Sequence, residues 1–393
     1  MHTRLGRVIV LGLLAYAPRA AAELIPTLKL AAEERYDDDP LLRGKCQNCL
    51  ITKLSPEIGL DIKEHRLTAH SYYAVDIYTH SASSYSGVEV DHRGLLDFKN
   101  VLSNVFSLEG RVEVWRVSDP TSLPRLGLAT TLSPILYGAA QLAAADRLNA
   151  RTTLRVGYRF EGAKIYEPDP SNRAVQRAPG FAHVPFAELW YRLTPRTDIG
   201  VEYRYQYLTF DPLISQANTV SALYRYRIRP DTKLTLRAGP TYYQKLDDNP
   251  LDLSTTGWMP RLVLELSHSA RGSEIGFMLG HELAGAYGLT SGLWVEYATL
   301  FGSQRLSKEF SFFGNATAYR SGLAANRDLG TFRSTFRTAE GYWVNAGLEW
   351  RLMKDVSLNG IFTRIQQVAG TTGVPAADLT RNIFAIRLVY TAL

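Results

Sequence analysis

The stretch that decides the fold lies before the middle of the chain and reads Leu154-Arg155-Val156-Gly157-Tyr158-Arg159-Phe160. Apolar and polar side chains alternate there residue by residue. A period of two is the period of a β-strand, whose successive side chains point to opposite faces of a sheet. One face of this strand therefore suits hydrocarbon, and the other suits water.

Similar stretches recur from residue 150 to residue 391, and the connectors between them are alternately short and long. The predicted strands are 150–167, 180–193, 197–210, 217–229, 232–246, 256–268, 273–282, 288–301, 307–320, 340–352, 355–368 and 379–391. This order of connectors is typical of an all-β antiparallel up-and-down barrel that spans the outer membrane of a Gram-negative bacterium, with its short turns in the periplasm. A soluble sandwich or propeller would not show it.

Weaker strand patterns precede residue 150, beginning near Pro56. The Ala-rich piece 138–146 suits a helix by composition, but the alternation around it favours a strand. Counting back to residue 57 gives 17 strands, whereas both ends of such a barrel lie in the periplasm only if the number is even. A further strand around 27–36 would make 18, which we expect, and merging the weak strands would make 16. The barrel then occupies residues 51–393, and 23–50 form a lead-in or a first strand.

The first 22 residues are typical of a secretory signal peptide. Arg4 and Arg7 precede an apolar run, and Ala20 to Ala22 supply a small-residue cleavage site. Removing residues 1–22 lowers the formal net charge from +6 to +3, because three arginines and no acidic residue are lost. A charge this small gives no case for binding nucleic acid.

Two cysteines, Cys46 and Cys49, are spaced C-x-x-C. Zinc would need two further ligands, and none follow at the required spacing. In an exported protein, the pair predicts a short local disulfide.

The polar face of the predicted strands carries the candidate functional residues. If the apolar face meets lipid, four of the five predicted strands between residues 150 and 246 present a basic wall to the lumen, and later strands add Glu265, Glu296 and Glu349 with Arg261 as an exception. The predicted basic wall, with one glutamate, consists of Arg151, Arg155, Arg159, Glu202, Arg204, Arg225, Arg227, Arg229 and Arg237. Facing walls of opposite charge would select ions or guide an anionic chain. The alternative is that the two walls form ion pairs with each other and merely fill the lumen with polar side chains.

No motif for catalysis, a cofactor or a metal is evident. His281-Glu282 begins like H-E-x-x-H, but its fifth position is Gly285. His268 and Ser269 are adjacent on a strand and therefore point to opposite faces. The sequence predicts a protein that is not an enzyme; a lipid-modifying enzyme of the outer membrane is the less favoured alternative.

The final strand, with Phe384, Ile386, Leu388 and Tyr390 on one face, resembles the C-terminal signal read by the barrel assembly machinery, although the chain ends in Leu393. The whole chain resembles the outer-membrane barrels of bacterial polysaccharide secretion, in particular the porin-like component of exopolysaccharide export. The alginate exporter is similar in strand count and basic lumen, but it is longer.

This resemblance implies a passive conduit in outer-membrane lipid. A periplasmic polysaccharide-export protein would deliver an exopolysaccharide or capsule polymer, which would leave through the arginine-lined lumen. The alternative is a general or substrate-specific porin for small solutes.

Overall fold

The computed structural model describes residues 23–38, 49–81, 88–119, 135–165, 179–210, 213–248, 254–284, 292–323, 337–369 and 378–392. These residues form eighteen strands. Their bounds are β1 Glu23–Asp37, β2 Cys49–Lys63, β3 Leu67–His80, β4 Val88–Val101, β5 Phe106–Val117, β6 Ile135–Arg147, β7 Thr152–Ile165, β8 Gly180–Thr194, β9 Thr197–Phe210, β10 Leu213–Arg229, β11 Thr232–Lys245, β12 Gly257–Ala270, β13 Ser273–Ala284, β14 Leu293–Arg305, β15 Phe310–Leu323, β16 Arg337–Met353, β17 Val356–Ala369 and β18 Leu379–Ala392.

Each strand pairs with the next in antiparallel register, and the first and last strands close the sheet. The closing register runs from Leu28 opposite Ala392 to Asp37 opposite Ile383. The expected count of 18 is therefore confirmed. The first strand, β1, covers the uncertain segment 27–36, and the Ala-rich piece 138–146 lies within strand β6.

Connector lengths define the two ends of the barrel. Eight turns at one end have two to four residues, and all but one of the connectors at the other end have seven to seventeen. One connector departs from the expected alternation: residues 211–212, between β9 and β10, are a two-residue link at the long-loop end. The short-turn end is periplasmic and the other is extracellular.

The outward face of the wall is apolar. On β7, Val156 is 45% exposed and Tyr158 is 44% exposed, whereas the flanking Arg155 and Arg159 point inwards. A closed barrel leaves no unpaired sheet edge, so it satisfies its backbone within hydrocarbon. With an apolar exterior and a polar interior, the chain is an outer-membrane β-barrel.

No helix within the described ranges is long and apolar enough to cross a membrane.

Two predictions fall wholly or partly outside the described residues. The signal peptide, 1–22, is one. Cys49 begins β2 and is disulfide-bonded, whereas Cys46, its expected partner, lies outside the described residues.

Candidate functional site: the barrel lumen

A cavity of about 640 Å³ lies inside the barrel, against the inner faces of β5–β9, β11, β13 and β14. Among the described residues, its charged lining consists of five arginines and five glutamates: Arg111, Glu113, Arg155, Arg159, Glu161, Glu188, Glu202, Arg204, Arg237 and Glu282. The lining is therefore balanced in charge.

The most buried ion pair of this wall joins Arg261 and Glu202. Arg261 Nη1 donates hydrogen bonds to Glu202 Oε2 at 2.6 Å and to Ser221 Oγ at 3.1 Å. Arg204 Nη2 donates to the other carboxylate oxygen of Glu202 at 2.9 Å. A buried ion pair persists when hydrogen bonds satisfy its remaining lone pairs, as they do here.

A second pair of arginines shares Glu188. The Nη atoms of Arg155 and Arg237 each lie 3.5 Å from its carboxylate, and Trp190 Nε1 donates to it at 3.0 Å. Arg155 Nε also donates to Glu109 at 3.0 Å. Both arginines are therefore neutralised on their own side of the lumen.

Glu282 completes the cavity wall. Arg261 Nε lies 3.5 Å from its carboxylate, Arg204 Nη1 lies 3.9 Å away, and Tyr297 donates a hydrogen bond to it at 3.0 Å. Tyr297 lies across Gly280 of the neighbouring strand, where a Cβ atom would overlap its ring. The missing side chain at Gly280 is thus what allows this tyrosine to reach Glu282.

These contacts correct the expected division into an arginine-rich wall and a glutamate-rich wall. Glu161, Glu188 and Glu202 lie on the same strands, β7 to β9, that carry the arginines. Period-two alternation sends acids and bases of one strand to the same face, so the charges are matched locally. Sequence reasoning missed Glu188 because strand β8 has apolar residues on both faces and shows no alternation.

The predicted lumen residues divide into three groups by position. Arg155, Arg159, Glu202, Arg204 and Arg237 line the cavity. Arg261 is buried in its wall, while Glu265 and Glu349 lie on the inward face but not among its described lining residues. Nearer the periplasm are Arg225 and Arg227 on the inward face of β10 and the exposed Arg151 and Arg229.

Glu296 lies on the face opposite to the one expected. On the neighbouring strands, Glu296 lies opposite His281 of β13 and Arg320 of β15. The Arg320 Nη2 atom lies 2.6 Å from the Glu296 carboxylate. The neighbouring Tyr297 points into the lumen. Both residues lie towards the extracellular end of β14, where Leu293, Trp294 and Val295 are all buried. Because apolar and polar residues do not alternate there, the sequence does not show which side chains face the lumen.

A second charged network lies on the inner wall of β1–β4. Asp76 is 3.1 Å from Lys53 Nζ and 2.8 Å from Arg93 Nε, and Arg35 Nη2 lies 3.0 Å from Glu33. The locally paired charges therefore extend beyond the cavity to the region where the barrel closes.

A charged network at the extracellular end of the lumen joins Arg381 to two aspartates. Arg381, on β18, donates hydrogen bonds to both carboxylate oxygens of Asp37 on β1. Its Nη1 atom also donates to Asp119 at 2.6 Å. Asp119 follows β5, five strands away from β18 in the sheet. The chain that leaves β5 is thus tied to the closing strands.

Apolar side chains cover the inner wall at the same end. The described cluster consists of Ala182, Val184, Leu208, Ala217, Tyr243, Met259, Leu283 and Trp294, each at most 7% exposed. Gly292 packs against Tyr243, Leu208 and Leu283. Between β8 and β14 the inner wall is thus apolar at the extracellular end and charged at mid-height.

The described residues contain no group of three or more His, Cys, Asp or Glu side chains placed to hold a metal ion. His268 bonds Thr232 Oγ1 through Nδ1 at 2.9 Å, and His281 accepts from Trp294 Nε1 at 3.0 Å. Both histidines thus have local structural partners.

No family model matches the chain. No curated protein matches it. Solved structures that match include Pseudomonas aeruginosa OccK5 (OpdH), with 10% identity and a TM-score of 0.44 over 94% of this chain and 99% of that one. Acinetobacter baumannii OccAB2 matches with 10% identity and a TM-score of 0.45 over 94% and 98%. The copper transporter OprC matches with 10% identity and a TM-score of 0.45 over 96% and 82%. Likenesses this distant carry no argument about the cargo of this chain.

Proposed function

We propose that this chain is a passive outer-membrane channel for polar, hydroxyl-rich solutes. One observation carries the proposal: a cavity inside the barrel has a charged lining of paired arginines and glutamates, balanced five to five among the described residues. Eighteen strands enclose enough space for a channel, whereas eight are filled by their own side chains.

The lining suits hydroxyl groups better than it suits ions. A guanidinium group only donates hydrogen bonds and a carboxylate only accepts them, whereas a hydroxyl does both. Arg155 beside Glu188 and Arg159 beside Glu161 therefore offer both halves of what a sugar needs. Balanced charge holds neither anions nor cations strongly, and conduction requires binding weak enough for release.

Small saccharides are the cargo that the cavity favours. Its volume of about 640 Å³ lies within the range of small-molecule sites. A substrate-specific porin for such solutes is therefore our first proposal.

Export of a polysaccharide is the second candidate, and the periplasmic mouth favours it. Among the described residues there, Arg192, Arg225 and Arg227 surround a single acid, Asp198. A basic entrance on the periplasmic side would attract an anionic polymer delivered by a periplasmic export protein. An extended polymer can cross the same lumen one sugar at a time.

Liposome swelling tests the channel, and a deletion strain separates the two cargoes. The purified barrel should admit glucose and maltotriose into liposomes; no swelling in either sugar would contradict the proposal. Normal surface polysaccharide in the deletion strain, with reduced uptake of small sugars, would favour the porin. Loss of surface polysaccharide would favour export.

A further inference from the structure

We propose that the periplasmic mouth contains a binding site for an oxyanion, formed by Arg192, Arg225 and Arg227 around Asp198. The inference deepens the second candidate function, export of a saccharide, and rests on it, because the site names a class of cargo. That class is a saccharide bearing carboxylate, phosphate or sulfate groups, which enters from the periplasm.

Three guanidinium groups converge on one carboxylate. Arg192 Nε lies 3.8 Å from Asp198 Oδ1, while Arg225 Nη1 and Arg227 Nη2 lie 3.6 and 3.9 Å from Oδ2. All three distances exceed those of an ordinary N–H···O hydrogen bond. Asp198 thus holds the arginines near one another without engaging their donors fully.

The guanidinium group of Arg225 stacks on the ring of Trp190. Its guanidinium carbon lies 4.2 Å from the centre of the Trp190 ring. Trp190 is 7% exposed, and its Nε1 is fixed by Glu188. A guanidinium stacked on an aromatic ring keeps its edge free for bidentate contact with a carboxylate or phosphate.

Arg225 also has a hydrogen-bond donor without an acceptor among the described residues. Arg225 Nε is buried and makes no hydrogen bond to the part of the chain that the structure describes. Buried polar groups are normally paired, but the Nε atoms of Arg237 and Arg261 also lack a hydrogen-bond partner in the described ranges. The open donor of Arg225 therefore supports a ligand only together with the neighbouring guanidinium groups of Arg192 and Arg227. An oxyanion bound between these arginines would provide an acceptor.

The charge at this mouth differs from that of the cavity. Three arginines face one aspartate here, whereas the cavity lining is balanced. Arg151, Arg196 and Arg229 are exposed at the same end of the barrel. Together these charges raise the local concentration of anions at the entrance.

The position of the site gives it a direction. Glu188, in the cavity wall, neighbours Trp190, and Asp198 lies beside the short turn between β8 and β9. Cargo from the periplasm would therefore meet the arginines before the cavity. The acidic group would be held at the mouth while neutral hydroxyls engage the balanced lining above.

Block of single-channel current tests the site. The full barrel in planar bilayers is titrated from each side with trigalacturonate, glucose 6-phosphate and neutral maltotriose. The site variant is Arg192→Gln with Arg225→Gln and Arg227→Gln. A rim variant of equal charge change, Arg271→Gln with Arg305→Gln and Lys354→Gln, alters the turns on the other side of the barrel and serves as the control.

We expect the acidic saccharides to block at lower concentration from the short-turn side. The site variant should raise their half-blocking concentration by about tenfold or more, the effect of losing a charge-assisted contact. The rim variant and maltotriose should show little change. The stronger of the two acids identifies the acidic group.

Two results would overturn the site: an equal loss in the rim variant, or no preferential block by either acid in the unchanged barrel. Failure of the channel itself would appear differently, as no conductance and no permeation by neutral sugar.

Discussion

Arg261 and Glu202 come from β12 and β9, which are separated in the sheet by two strands, yet their side chains meet in a 2.6 Å hydrogen bond. Glu202 is 0% exposed and Arg261 is 4% exposed. The pair therefore bridges the curved inner wall and holds charges that water does not reach.

Removing the carboxylate of this pair should destabilise the barrel. Glu202→Gln leaves two guanidinium groups, those of Arg261 and Arg204, near a neutral amide. Breaking a buried pair costs about 3–5 kcal/mol, so we expect a large decrease in the free energy of unfolding, measured by urea titration in detergent. The control is Asp97→Asn, which alters an exposed pair with Arg111 and should cost less than about 1 kcal/mol. Equal effects of the two changes would refute the structural role of Glu202.

Gly280 should not tolerate a methyl group. Gly280→Ala places a Cβ atom within the Tyr297 ring and should displace Tyr297 from Glu282. Overpacking of this kind costs about 1–3 kcal/mol. Gly360→Ala is the matched control, since a Cβ there meets nothing within 4 Å. The thermal unfolding temperature should fall only for Gly280→Ala, and a decrease of the same size for Gly360→Ala would contradict the packing.

The balance of lumen charge should set ion selectivity. Arg155→Gln with Arg237→Gln leaves Glu188 without either of its arginines. We expect a weakly selective channel to become cation-selective, seen as a shifted reversal potential in a salt gradient. Screening by salt should reduce the shift. An unchanged reversal potential would mean that ions do not pass these side chains.

Arg381 should limit conductance at the extracellular end. Arg381→Gln weakens the connection between Asp119 and the closing strands β18 and β1. Single-channel conductance should rise, with more frequent transitions between current levels. Arg387→Gln, on the same strand at 3.8 Å from Glu33, is the control. A conductance identical to that of the unchanged barrel would show that the Arg381–Asp119 contact does not restrict the lumen.

Most of the fold could be predicted from alternation alone. Most strands from β7 to β18, although not β8, have one apolar and one polar face over much of their length, and a closed wall between lipid and water imposes that pattern. The ambiguous segment 138–146 proved to be a strand because its neighbours β5 and β7 pair with it on both sides. The short link between β9 and β10 was less evident, since β10 begins at Leu213 and the predicted strand began at residue 217.

The lumen was harder to predict than the wall. Alternation assigns Arg155 or Glu202 to a face, but it cannot show which residues of distant strands meet. The Arg261–Glu202 and Arg237–Glu188 contacts each cross two intervening strands. Glu296 was misplaced because alternation is lost near the extracellular end, where Trp294 and Val295 are both buried.

Chemical labelling of two adjacent residues tests the central claim, that water and solutes pass along the inward face of this wall. Cysteines would be introduced separately as Arg155→Cys and Val156→Cys, and current would be recorded before and after a membrane-impermeant cationic thiol reagent is added. The account predicts that the current changes when position 155 is modified and stays constant for position 156, which faces lipid. Reaction at position 156, or labelling at position 155 that leaves the current unaltered, would contradict it.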